Sequence, residues 1–149
     1  MGRTDIKWVA EGLEMYSSRL AHYVPFAVKE LPELKGAGSL GREVIKRKEG
    51  ELLLAAIKPA DYVVLLDERG SQYSSLEFSG FISRRIMAGK DLVFVVGGAY
   101  GFSPQMYERA DDKLSLSKMT CSHQLVRTVF AEQLYRAFTI LKGEPYHNE

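Results

Sequence analysis

The chain has 149 residues, 46% of them hydrophobic and 26% charged, and its formal net charge is +1 at pH 7. These values are typical of a single globular domain over residues 1–149 and exclude global disorder. A charge this small also excludes a protein that binds nucleic acid mainly through a basic tail. The one cysteine, Cys121, excludes an internal disulfide and a cysteine-built zinc site. We expect a cytoplasmic protein, because the sequence shows neither a membrane-length apolar run nor a signal-peptide h-region.

The first 57 residues predict two helices, one strand and one loop. Apolar residues that step by three and four over residues 6–20 predict an amphipathic helix, with Asp5 as its N-cap. Residues 24–28 predict a short strand, and the glycine-rich segment 34–41 predicts a mobile loop. Residues 42–57 then predict a second helix with one apolar face.

The middle of the chain predicts two buried strands and the helix between them. Residues 62–66 and 92–96 are continuous apolar runs of strand length, which favours burial on both faces of a sheet. Asp67–Gly70 is expected to form the turn after the first run. The pattern Ser74-x-x-Glu77 predicts a capping box at the start of a helix.

The last third of the chain begins with a glycine-rich loop, Gly97–Gly101, directly after the second apolar run. Ser103-Pro104 predicts another helix start, residues 114–117 alternate like a strand, and residues 124–141 predict a long helix. Strands that alternate with helices predict an α/β fold with a parallel sheet and helices on both faces.

In such a sheet, ligands bind outside the carboxyl ends of the strands. Three segments satisfy this rule: Asp67–Gly70, Gly97–Gly101 and Lys118–Ser122. The glycine spacing Gly97-Gly98-x-x-Gly101 fits neither a dinucleotide-binding nor a nucleoside-triphosphate-binding fingerprint. A tight turn without any ligand remains the alternative explanation of these glycines.

The long C-terminal helix has two apolar faces. One face carries Val126, Phe130, Leu134, Phe138 and Leu141, and the other carries Leu125, Val129 and Ile140. A helix that is apolar on two sides is usually covered on two sides. The pattern favours a partner subunit over the second face, and a helix enclosed within one chain is the alternative.

The residue types alone leave the roles of the polar candidates open. His123 and Arg127 are four residues apart near the start of the last helix, where they can face one site or serve the structure. Arginine suits phosphate binding because its guanidinium is a planar fork of donors. Cys121 is predicted to be a small apolar filler, and His22 a surface residue.

An ordered set of motifs, spread over nearly the whole chain, resembles the ribosomal RNA large subunit methyltransferase H family. These proteins are small SPOUT-class methyltransferases. The motifs are Leu31–Lys35, Lys48–Gly50, Leu92–Phe102, Leu116–Thr120, His123–Arg127, Glu132–Ala137 and Pro145–His147.

The resemblance implies an α/β fold with a C-terminal trefoil knot, acting as a homodimer. It implies transfer of a methyl group from S-adenosyl-L-methionine to N3 of a pseudouridine in 23S rRNA, on the assembled ribosome. No metal is implied, because the sulfonium already activates the methyl group. A near-neutral protein would bind free RNA weakly, so we expect it to need the folded ribosomal surface.

The resemblance also implies roles for individual residues. Cofactor contacts fall on Leu66, Gly97, Gly98, Leu116, Ser117, Lys118, Met119, Thr120 and Cys121. Catalytic roles fall on His123, Arg136, Tyr146 and His147, and RNA-binding roles on Arg127 and Lys118. Either His123 or His147 can accept the N3 proton, and either Arg136 or Arg127 can stabilise the imide anion. Tyr146 can stack on the base or bond to its edge.

Two other functions and one structural defect follow from the same comparison. The protein can be a SPOUT methyltransferase with another RNA target, or a non-catalytic dimeric module that binds a nucleoside. Family members begin with an apolar strand that leads into a Val-Gly-Lys/Arg turn, and Gly2-Arg3 matches the end of that turn. The first strand is therefore expected to be missing from this chain.

Overall fold

The computed structural model describes residues 1–147, which contain five α-helices and three strands. The helices are α1 (Lys7–Leu20), α2 (Arg42–Ala56), α3 (Ser75–Met87), α4 (Pro104–Arg109) and α5 (Leu125–Lys142). The strands are β1 (Tyr62–Ser71), β2 (Leu92–Val96) and β3 (Asp112–Leu114), and a short 3-10 helix spans Ala37–Ser39. Among these helices, none is long and apolar enough to span a bilayer.

The three strands form a parallel sheet in the order β2-β1-β3. Tyr62 lies opposite Leu92 at one end of the β1–β2 pair, and Leu66 lies opposite Val96 at the other. The predicted α/β class and both predicted apolar strands are therefore confirmed.

Alternate residues of β1 point to two separate cores. Val64 belongs to a cluster with apolar residues of α1, α3 and α5, including Leu20, Phe81 and Phe130. Val63 and Leu65 instead belong to a cluster with residues of α2 and α4. Helices thus cover both faces of the sheet, which explains why the strand is apolar at successive positions.

Two helix starts follow the predicted capping chemistry. The Ser74 hydroxyl accepts the Glu77 N–H at 3.3 Å while the Glu77 carboxylate accepts the Ser74 N–H at 2.7 Å. Ser103 caps α4, with Pro104 at its first position. Both signals are local, so the sequence alone identifies them.

Two predictions near the N-terminus are wrong. The N-cap of α1 is Ile6 and has no side-chain hydrogen bond, because the Asp5 carboxylate instead accepts a hydrogen bond from the Gln124 side chain. Residues 24–28 form no strand; Val24 and Phe26 pack against the larger core cluster, and the segment pairs with no strand of the sheet. Side-chain burial rather than strand pairing accounts for its apolar composition.

Three further boundaries differ from the prediction. Asp67–Gly70 is part of β1 rather than a turn, because Ser71 returns to pair with Leu114 beyond an irregularity in the register. A Cβ on Gly70 would lie 2.6 Å from the backbone of Leu114, so a glycine is needed for this close approach. The last strand covers residues 112–114 rather than 114–117, and segment 34–41 contains a short 3-10 helix.

Gly50→Ala should destabilise the protein, although alanine normally favours a helix. A Cβ at Gly50 of α2 would lie 2.2 Å from the Ser103 hydroxyl, which caps α4. We expect a loss of about 1–3 kcal/mol in the free energy of unfolding, measured by urea denaturation. Gly38→Ala is the matched control, since a Cβ there meets nothing within 4 Å. Equal stability of the two variants would contradict the close packing of α2 on α4.

Candidate functional site

A cavity of about 810 Å³ opens at the carboxyl ends of the three strands. This volume is within the usual range for sites that bind a small organic ligand. Eight of the nine residues expected to contact a cofactor line the cavity: Leu66, Gly97, Gly98, Leu116, Ser117, Met119, Thr120 and Cys121. Lys118, the ninth, is exposed and does not line it.

The glycines after β2 leave bare backbone at the cavity wall. A Cβ on Gly98 would lie 2.3 Å from Oε2 of Glu49, and a Cβ on Gly97 would lie 3.2 Å from the Phe102 ring. Burial raises the pKa of Glu49, and its buried Oε2 has no hydrogen-bond partner among the described residues. The glycines therefore let the backbone at the cavity wall approach the Glu49 carboxylate and the Phe102 ring closely.

The segment after β3 forms the opposite wall of the cavity. The Thr120 hydroxyl donates to Oε2 of Glu68 at 3.2 Å, and the Met119 N–H donates to the Ser117 hydroxyl at 2.9 Å. Cys121 is exposed, so its predicted role as a buried apolar filler is wrong. Residues 118–122 are exposed and lie outside the core.

Two cavity residues, Asp67 in β1 and Tyr107 on α4, were not among the predicted site residues, although Asp67 begins one of the three segments expected to bind a ligand. Asp67 lines the cavity, and its Oδ2 accepts a hydrogen bond of 2.5 Å from the Tyr107 hydroxyl while its Oδ1 accepts the Arg69 N–H at 2.8 Å. Burial and the bond to Asp67 raise the pKa of Tyr107 to about 12, so the phenol remains a donor at neutral pH. The available signal was an acidic residue directly after a buried strand.

His123 and Arg127 have different surroundings, although both lie near the start of α5. His123 is partly buried and lines the cavity. Arg127 is only 8% exposed and donates to the Thr4 hydroxyl at 2.7 Å and to the carbonyl oxygens of Met1 and His123. The Arg127 guanidinium therefore ties the N-terminal segment to α5. To bind RNA, as expected from the sequence, it would have to exchange these contacts for a phosphate.

The other three candidate catalytic residues form a cluster around the C-terminal half of α5. Nη2 of Arg136 lies 2.7 Å from Oε1 of Glu132, and the Tyr146 hydroxyl donates to the same oxygen at 3.0 Å. Nη1 of Arg136 lies 3.4 Å from Nδ1 of His147. The Arg136 guanidinium also lies over the Tyr146 ring, 4.8 Å from its centroid. We call these four residues the Arg136 cluster.

The hydrogen bonds assign proton positions within the Arg136 cluster. A guanidinium has only donors, so Nδ1 of His147 acts as an acceptor toward Arg136. Partial burial and hydrogen bonds with Tyr16 and Glu132 raise the pKa of Tyr146, which keeps its hydroxyl protonated. The cluster thus holds a guanidinium, paired with Glu132, over an aromatic ring, and both groups are of types that contact nucleic-acid bases.

Within a single chain, the Arg136 cluster lies away from the cavity. None of the four cluster residues lines the cavity, whereas His123 and Val126 do. From Val126 to Arg136, α5 advances about 15 Å along its axis. Apart from Lys118 and Arg127, the sequence-predicted site residues therefore form two groups within the described chain. No group of three or more His, Cys, Asp or Glu residues within residues 1–147 is arranged to hold a metal ion.

Comparison with known proteins gives consistent matches over the whole chain. Residues 1–147 match the family described as predicted SPOUT methyltransferases. The chain is 54% identical to ribosomal RNA large subunit methyltransferase H of Christiangramia forsetii, over 99% of this chain and 95% of that protein. It is 49% identical to proteins of the same name from Parabacteroides distasonis and Porphyromonas gingivalis, over 100% of this chain and 96% of each relative.

Arg127→Gln should lower the free energy of unfolding by about 2–4 kcal/mol, since it leaves buried partners of a charged group unsatisfied. Urea denaturation measures this loss. The control is Arg47→Gln, whose exposed guanidinium pairs with Glu51 at 2.9 Å and should contribute less than about 1 kcal/mol. Unchanged stability of Arg127→Gln together with weaker ribosome binding would instead support an RNA-binding role.

Proposed function

Because the chain belongs to the SPOUT methyltransferase family, which implies the knotted fold, we propose that it methylates ribosomal RNA. The proposed reaction transfers a methyl group from S-adenosyl-L-methionine to N3 of a pseudouridine in 23S rRNA, on the assembled ribosome. The observation that carries this proposal is the match of relatives named ribosomal RNA large subunit methyltransferase H along the whole chain.

The cavity supports the choice of S-adenosylmethionine as the methyl donor. Its volume suits a ligand of nucleoside size, and Gly97 and Gly98 line it beside the segment after β3. When bound, this cofactor supplies a methyl group activated by a positively charged sulfur. Leu66, the glycine loop, Leu116, Ser117 and residues 119–121 would hold it in the cavity, and no metal is required.

The pseudouridine N3 is an imide nitrogen that must lose its proton before it becomes a good nucleophile. His123 lines the cavity, and its imidazole nitrogen takes this proton directly or through water. Nδ1 of His147 already accepts a hydrogen bond from the Arg136 guanidinium, and His147 does not line the cavity. Arg136 stabilises the imide anion, and Tyr146 stacks on the base.

A homodimer would bring the two groups of site residues together. Within one chain the Arg136 cluster lies apart from the cavity, so we propose that the cluster of one subunit approaches the cavity of the other across paired α5 helices. Exposed apolar side chains on α1 and α5 support such an interface: Trp8, Met15, Val129 and Leu141. Burial of such side chains in a partner surface is favourable.

The dimer is tested by sedimentation equilibrium of the purified protein. We expect a species of twice the chain mass of 16.8 kDa at micromolar concentration. Val129→Lys should shift the protein toward the monomer, because the lysine charge would have to be desolvated in the interface. Lys142→Glu near the exposed end of α5 serves as a charge-changing control. A monomer at every concentration would contradict the dimer.

The reaction is tested by incubating the protein and labelled S-adenosylmethionine with ribosomes that lack the modification. We expect transfer to a single pseudouridine of 23S rRNA, identified by mapping the modified nucleotide. Efficient methylation of a short naked stem-loop would contradict the requirement for the ribosome, which follows from the net charge of +1. Transfer to another RNA would favour a different SPOUT target, and cofactor binding without any transfer would favour a non-catalytic module.

His147→Ala separates catalysis from cofactor binding in the same assay. His147 does not line the cavity, so its loss should leave the affinity for S-adenosylmethionine unchanged. We expect the rate of transfer to fall by up to about 10²-fold, because His147 accepts a hydrogen bond from Arg136 and thereby positions the guanidinium that stabilises the imide anion. Equal losses of cofactor affinity and of rate would instead place His147 in the cofactor site.

A further inference from the structure

One carboxylate stands out among the charged groups that line the cavity. Asp67 is partly buried, and each of its oxygens accepts a hydrogen bond from another residue, Tyr107 or the Arg69 backbone. No lysine or arginine forms a salt bridge with it among the described residues. Asp67 is therefore a fixed carboxylate, and its negative charge is not neutralised by an ion pair.

The other charged residues at the cavity have less influence on a bound ligand. Arg42, Glu68 and Arg69 are exposed, so water screens their charges. Lys46 is partly buried, but Glu43 neutralises it at 3.2 Å. The fixed charge that a ligand in the cavity meets is consequently the negative charge of Asp67.

We propose that Asp67 makes the cavity selective for the cationic methyl donor over its neutral product. This inference rests on the proposed function. When the methyl group leaves, the electron pair of its bond to sulfur stays on sulfur, and the sulfonium becomes the uncharged thioether S-adenosylhomocysteine. Every other group of the two molecules is the same. A negative charge near the sulfur therefore favours the donor and releases the product.

Tyr107 acts as the positioning residue for this carboxylate. Its ring packs edge-on against Phe102 with centroids 6.0 Å apart, and its hydroxyl reaches Asp67 from α4. A carboxylate held in this way cannot rotate freely toward solvent. The bond also links β1 to α4, the helix that follows the glycine loop.

The test compares the affinities of wild type and Asp67→Asn for S-adenosylmethionine and S-adenosylhomocysteine by isothermal titration calorimetry. Asparagine retains the shape and an acceptor oxygen but removes the charge. We expect donor affinity to fall about 10-fold, which is the effect expected from the Coulomb attraction between two partly buried charges. Product affinity should change much less. Tyr107→Phe retains the charge but releases its orientation, and should lower the donor-to-product affinity ratio by a smaller factor.

Glu68→Gln is the matched control, because it removes an exposed carboxylate at the same cavity and keeps an acceptor oxygen for the Thr120 hydroxyl. It should leave the affinity ratio unchanged. Equal losses of donor and product affinity in Asp67→Asn would overturn charge selection and indicate contact with a group that both molecules share. An unchanged ratio in a folded Asp67→Asn, checked by its melting curve, would overturn it as well. Failure of the wild type to bind either molecule would instead refute the proposed function.

Discussion

Parallel pairing of β2 and β3 on either side of β1 is the constraint on which the rest of the structure depends. Parallel strands run in the same direction, so the segments that follow β2 and β3 lie at one edge of the sheet, beside the part of β1 beyond Leu66. The cavity is the space among these three segments. Its walls therefore come from residues far apart in sequence, such as Leu66, Gly97 and Leu116.

Helix α5 joins the two chemical regions of the molecule. Its start lies beside the cavity with His123, and its C-terminal half carries Arg136 beneath Tyr146. A rigid helix cannot bring these groups together within one chain, since they are separated by about 15 Å or more along its axis. The proposed homodimer would bring the two groups together across the subunit interface. It would also bury the exposed apolar side chains of the helix.

Much of the fold was predictable because its signals are local. The apolar runs at 62–66 and 92–96 and the Ser74 capping box follow from short-range patterns, and the structure confirms them. The predictions of an Asp5 cap and of a strand at 24–28 were wrong. The Asp5 carboxylate accepts a hydrogen bond from Gln124 instead, and Val24 and Phe26 pack against the core. Such partners lie about 100 residues away or in several elements at once, beyond the reach of a local pattern.

The sequence by itself determined the α/β class, the location of the candidate site at the strand ends and the resemblance to a methyltransferase family. Only the tertiary structure decided what each polar side chain faces. It placed Arg127 in the interior and gave the Asp67 carboxylate its partners at the cavity. The reason is physical: periodicity encodes which face of an element is apolar, whereas a side chain's partners depend on how distant elements pack together.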